Sequence, residues 1–222
     1  MDVRADRDES RLRDGFRAAA PLALGPLLFG LAFGVLAENA GMDALSVFVF
    51  SATTFAGSAQ FAAASVLEDG GTVVAAIVAA VLLNARYAPM SVAVAGLFHG
   101  PPWRRLIEAQ LIVDESWALA GRSGRFQRNV LLGAGLLLFV IWTVSTAAGT
   151  VVGDRLGDPE TYGLDAAFGA LFLGLAFPYL RARRALGAAL AGGAITLAFL
   201  PWAPAGVPLL AASAACLLGL RR

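Results

Sequence analysis

Residues 46–95 read SVFVFSATTFAGSAQFAAASVLEDGGTVVAAIVAAVLLNARYAPMSVAVA, long and apolar enough for two membrane passes yet studded with polar groups that lipid-facing helices do not need. The first pass carries Ser51, Thr53, Thr54, Gly57, Ser58 and Gln60, and the second carries Asn84 and Arg86. On a helix, Ser51, Thr54 and Ser58 fall at i, i+3 and i+7, and Thr53, Gly57 and Gln60 follow one face over, so a polar stripe runs down the first pass. Gly57 and Ser58 lie inside that stripe, where Gly weakens a helix by about 1 kcal/mol and Ser can redirect backbone hydrogen bonds, which points to a break or kink. Arg86 falls near the middle of the second pass, where an arginine costs roughly 2.5 to 3.5 kcal/mol on insertion scales. Its compensating partner is an acidic side chain of the same chain, an unwound carbonyl, or the carboxylate of a bound solute, which a guanidinium fork matches bidentately.

Working outward, the whole chain has membrane composition. Of its 222 residues 58% are hydrophobic and the mean hydropathy is +0.71, which excludes an ordinary soluble domain. All 17 basic residues are arginine and 16 acids bring the net charge to +1, so no basic surface argues for nucleic acid. Cys216 is the single cysteine and His99 the single histidine, so neither a disulfide within the chain nor a metal site is expected, and no cofactor is implied. Residues 1–15 mix acids and arginines with no apolar core, and read as a cytoplasmic tail in place of a cleavable signal. Residues 16–222 read as one transmembrane domain.

The expected fold is all-α, a polytopic transmembrane bundle with about seven apolar segments at 16–37, 44–67, 72–98, 130–152, 164–180, 185–200 and 205–220. Arginines at the N-terminus, at 181–184 and at the C-terminus put those ends inside the cell. Three passes from an inside N-terminus end outside, however, whereas residues 103–128 carry five arginines. Either residues 106–120 (LIEAQLIVDESWALA) cross or dip into the membrane, or the region around Ser51 to Gln60 is broken or re-entrant; a break at Gly57 is the preferred remedy. Both put irregular backbone at membrane depth, which is tolerated where it lines a cavity or is buried in protein. Gly41-Met42-Asp43-Ala44 is echoed by Gly163-Leu164-Asp165-Ala166, a weak internal repeat that ordinary helix-start chemistry also explains.

Phe55-Ala56-Gly57-Ser58-Ala59-Gln60, then Asn84-Ala85-Arg86-Tyr87, then Asp114-Glu115-Ser116 occur in the order and spacing of the AzlC family of branched-chain amino acid permeases, which this sequence resembles over roughly residues 15–185. The resemblance implies a cell-membrane transporter of branched-chain amino acids, working outward or inward, with a small multi-spanning subunit of the AzlD type and no enzymatic activity. No P-loop is present, so a secondary, ion-coupled, alternating-access mechanism is expected.

With the resemblance included, Ser51, Thr54, Gly57, Ser58, Gln60, Asn84 and Arg86 are the expected substrate-binding residues, the first five along a discontinuous helix whose freed amides or carbonyls meet the charged ends of a zwitterion. The competing reading of the same small and polar residues is tight helix packing. Arg86 is either ion-paired with Asp114 or Glu115, bound to substrate, or a gate alternating between the two. Asp114, Glu115 and Ser116 are the expected coupling or gating residues; the alternative is a cytoplasmic amphipathic helix with Trp103 and Trp117 as boundary anchors. Gly30 and Gly34 are expected to pack against another helix. An intramembrane serine hydrolase using Ser58 is a remote alternative, since Arg86 cannot act as its base.

Overall fold

The computed structural model describes residues 11–68, 70–121, 125–156 and 180–203, and isolated positions from 173 to 216. All secondary structure among them is helical, in the order α1 (Leu12–Ala19), α2 (Leu24–Asn39), α3 (Ala44–Thr54), α4 (Gly57–Glu68), α5 (Val73–Asn84), α6 (Tyr87–Val94), α7 (Pro102–Ala109), α8 (Asp114–Ala120), α9 (Arg128–Leu156) and α10 (Arg183–Phe199). Short 3-10 turns follow α1 and α6.

Continuous apolar sequence does not translate into continuous helix. Among the described residues α9 alone is long and apolar enough to cross a membrane unaided, over Arg128–Val151. Two bent pairs reach that length only together: Leu12–Leu22 with Leu24–Asn39, bent by 66°, and Val73–Asn84 with Tyr87–Leu97, bent by 41°. The segment expected at 44–67 is two helices, α3 and α4, and residues 106–120 form no single span but parts of α7 and α8 joined at 110–113. Of the seven apolar segments expected, with a break or re-entrant turn in one, the described residues show those at 16–37, 44–67 and 72–98 divided and those at 130–152 and 185–200 as single helices. Most of segments 164–180 and 205–220, and the second copy of the Gly-x-Asp echo, lie outside the described residues.

The first copy is helix-start chemistry. Gly41 takes φ +81°, and the Asp43 carboxylate accepts from the Ser46 amide at 3.0 Å and hydroxyl at 2.6 Å, capping α3. Those bonds hold the Asp43 carboxyl below its ordinary range.

Helix α9 is the spine, with α1, α2, α3 and α8 packed on it. The approach to α2 is backbone to backbone. A Cβ on Gly34 would overlap the Thr146 carbonyl oxygen and lie 2.8 Å from Gly149 Cα, and one on Gly30 would overlap the Ser145 hydroxyl. The small pair thus packs against another helix, as expected. Phe29, Phe33, Val47, Phe55, Leu138 and Trp142 form the core between α2, α3 and α9. Helices α4 and α5 meet through Ala59, Ala63, Ala76 and Ala80, small side chains that let them come close. Buried Glu108 receives both Arg104 and Arg128 on one carboxylate oxygen, pinning α7 to the start of α9.

Gly34→Leu should lower the unfolding midpoint of the detergent-solubilised protein, by at least the about 1–3 kcal/mol typical of overpacking. Gly96→Ala, where a Cβ meets nothing within 4 Å, should leave it unchanged.

Candidate functional site

Three chain interruptions converge on one small cavity. The first lies between α3 and α4, where Phe55 takes φ 39° and ψ 52°. A bulky residue in the left-handed region is strained by about 1–3 kcal/mol and persists only when its surroundings hold it. Here the Phe55 ring is buried and meets Phe139 edge-on at 5.1 Å. Phe55, and not Gly57, is the hinge. Gly57 opens α4, where a Cβ would stand 2.8 Å from the Trp142 ring, so its lack of a side chain serves close approach to α9.

The interrupted backbone is satisfied by two glutamines. Gln60 Oε1 accepts from the Ala56 amide at 3.3 Å and from Trp142 Nε1 at 3.0 Å, closing the start of α4. Gln110, from the joint between α7 and α8, donates to the carbonyls of Ala52 at 3.1 Å and Thr53 at 2.8 Å, capping the end of α3. An unpaired buried carbonyl costs about 1–3 kcal/mol, so these contacts are what permit the break.

The second interruption lies between α5 and α6. It presents Arg86, whose Nη2 lies 2.9 Å from Asp114 Oδ2 and donates to Ser58 Oγ at 2.8 Å. Its guanidinium carbon stands 5.3 Å from the centroid of Tyr87, and the Tyr87 hydroxyl reaches toward Asp114 Oδ2 at 3.5 Å. The third interruption, at 110–113, delivers Asp114 and Glu115 on the first turn of α8. Pro26 and Phe29 of α2 with Leu138 and Trp142 of α9 supply the apolar wall. The cavity holds about 50 Å³ and is lined by two carboxylates and one guanidinium.

The expected residues are distributed among several places. Gly57, Ser58, Arg86, Asp114 and Glu115 line this cavity together. Ser51 is buried against α9, its hydroxyl 3.3 Å from Thr146 Oγ1. Gln60 is fully buried behind the break, while Thr54 and Asn84 line a separate groove. The continuous stripe predicted for Ser51, Thr54 and Ser58 is thus cut at Phe55. Ser116 does not reach the cavity lining: its hydroxyl accepts from the Val113 amide at 3.0 Å and bonds the Leu111 carbonyl at 2.7 Å, fixing the turn before α8. Trp117 packs on Phe126 at 4.9 Å, and exposed His99 sits 3.1 Å from the Leu97 carbonyl, outside the cavity lining. Sequence reading passed over Gln110 and Trp142 as site residues, because each acts on a segment more than 50 positions away.

Residues 21–156 match the AzlC protein family. The chain belongs to that family. As a member of the AzlC family it is also 31% identical over 195 residues to an uncharacterized membrane protein of Archaeoglobus fulgidus, covering 84% of each chain. An uncharacterized membrane protein of Helicobacter pylori strain 26695 is 26% identical over 72% of each chain. The branched-chain amino acid transport protein AzlC of Bacillus subtilis is 26% identical over 72% of this chain and 65% of its own length. No solved structure matches. This AzlC-family chain is therefore a membrane protein, and the family match spans the three interruptions.

Arg86→Met and Asp114→Leu should each lower the unfolding midpoint, since each leaves a half-buried charge without its partner. The double variant should recover most of the loss, with a coupling of about 1–3 kcal/mol. Additive losses in the double variant would mean the pair contributes nothing as a pair.

Proposed function

We propose that this chain is a secondary transporter of branched-chain amino acids in the cell membrane, exporting them together with a small multi-spanning subunit of the AzlD type, with its N-terminus in the cytoplasm. The observation that carries the reading is the meeting of Arg86, Asp114, Glu115 and Ser58 at interrupted helices, the arrangement that lets a membrane protein present charge and free backbone to a solute at depth. The named activity of the Bacillus subtilis relative supports the choice of solute.

The structure is read as a closed state, because Asp114 sits on Arg86 in the position a solute carboxylate would take. In the occupied state the solute carboxylate engages Arg86 and Ser58, and Glu115 receives its ammonium. Asp114, released from Arg86, takes up a proton from one aqueous side and returns it to the other when the pair re-forms. Solute and closure then compete for one guanidinium, which is the differential contact that couples binding to opening. Gln60 closes the start of α4 at the break, Gly57 admits the Trp142 ring, Ser51 anchors α3, and Thr54 and Asn84 line the approach.

The test is the intracellular pool of leucine, isoleucine and valine under dipeptide feeding, in cells lacking other exporters and carrying this chain with its neighbouring small membrane protein. The pair should lower the pools, and Arg86→Ala should restore them. Raised accumulation from the medium would instead assign uptake, and no change in either direction would remove these solutes.

A further inference from the structure

The cavity around Arg86 has two unlike sides. Its polar side is carried by the interrupted helices: Ser58 lies in the first turn of α4, Arg86 at the joint between α5 and α6, and Asp114 and Glu115 at the start of α8. Its apolar side comes from two other helices, with Pro26 and Phe29 on α2 and Leu138 and Trp142 on α9. Three positions separate the first pair and four the second, so each pair presents one face of its helix. Phe29 and Leu138 are both buried.

The apolar side is also the one that cannot retreat. Gly30, next to Phe29, brings α2 so close to α9 that a Cβ there would stand 3.0 Å from the Trp142 carbonyl oxygen. Trp142 itself is held on three sides: its indole N–H donates to Gln60 Oε1 at 3.0 Å, its ring stacks on Phe33 at 6.2 Å, and its edge faces Gly57. A wall packed in this way does not give way to an oversized group. The Pro26 ring is locked to its backbone, which leaves Phe29 and Leu138 as the wall side chains whose length sets the room.

An amino acid whose carboxylate meets Arg86 and Ser58 and whose ammonium meets Glu115 has two substituents of its α-carbon committed to the polar side. Its side chain then faces α2 and α9. We infer that Phe29 and Leu138 are the specificity-determining residues of this site, admitting a branched aliphatic side chain and turning away an aromatic one. The inference rests on the transport reading above and adds to it the residues that read side-chain size. The charged ends, common to all amino acids, are met at the joints between helices; the part that varies is met on a wall built into the close α2–α9 contact. Shortening either wall residue enlarges the room without touching a charged group.

The experiment is equilibrium binding of radiolabelled leucine and of radiolabelled phenylalanine to the full chain in lipid nanodiscs, for wild type, Leu138→Ala, Phe29→Leu, Leu136→Ala and Arg86→Ala. Leu138→Ala and the milder Phe29→Leu should each lower the leucine-over-phenylalanine preference by at least about tenfold, with phenylalanine binding more tightly than to wild type. That gain is the deciding reading, because a variant that fails to fold loses both solutes. Leu136, on α9 but 41% exposed and outside the cavity lining, should leave the preference unchanged when shortened. Arg86→Ala should weaken both solutes alike. Leucine binding by wild type with no gain of phenylalanine in Leu138→Ala or Phe29→Leu would overturn the assignment of the wall and leave the transport reading standing. Wild type that binds neither solute would defeat the transport reading, and the wall with it.

Discussion

A helix interrupted inside a membrane leaves amides and carbonyls that no water can satisfy, and the structure depends on how that constraint is met. Gln60 answers for the start of α4 and Gln110 for the end of α3. Each also ties the break to another element, Gln60 through the Trp142 indole on α9 and Gln110 by its own place between α7 and α8. The same region has to hold a guanidinium at depth, and Asp114, Ser58 and the Tyr87 ring surround it. Satisfaction of the break and compensation of the charge are thus supplied by the same few joints.

The rest of the fold is support for those joints. Helix α9 is held against α2 by contacts so close that a Cβ on Gly34 has no room, a geometry suited to a fixed frame. Against it, α4 and α5 share an alanine face and bring their broken ends, Phe55 to Gly57 and Ala85 to Arg86, to one place. Phe55 in the left-handed region is a strained residue at the centre of this arrangement, held by Phe139.

Much of the site was legible because a polar residue in an apolar run is expensive and so carries information. Ser58, Arg86, Asp114 and Glu115 stood out for that reason, and they meet in space. What misled was helical phase: Ser51, Thr54 and Ser58 share a face only on an unbroken helix, and Phe55 carries no local signal for a positive φ. Gly57 drew attention as a breaker although it serves an approach by Trp142 from far along the chain. Hydropathy measures the length of an apolar run and is silent on whether its hydrogen-bond ladder is continuous, so among the described residues the segments at 16–37, 44–67 and 72–98 are divided while those at 130–152 and 185–200 are single helices. Ser116 could have been assigned from sequence, because a serine in the first turn of a short helix commonly bonds its own backbone.

The central claim is that Asp114 and the solute carboxylate compete for Arg86. The most direct measurement is the leucine dissociation constant of Asp114→Asn against wild type in nanodiscs, with net transport by the same proteins alongside. Removing the competing charge should tighten leucine binding, by about tenfold for each 1.4 kcal/mol of closure lost, while net transport falls. Weaker leucine binding in Asp114→Asn would contradict the account, making Asp114 part of the solute's binding surface and the ion pair a matter of structure alone.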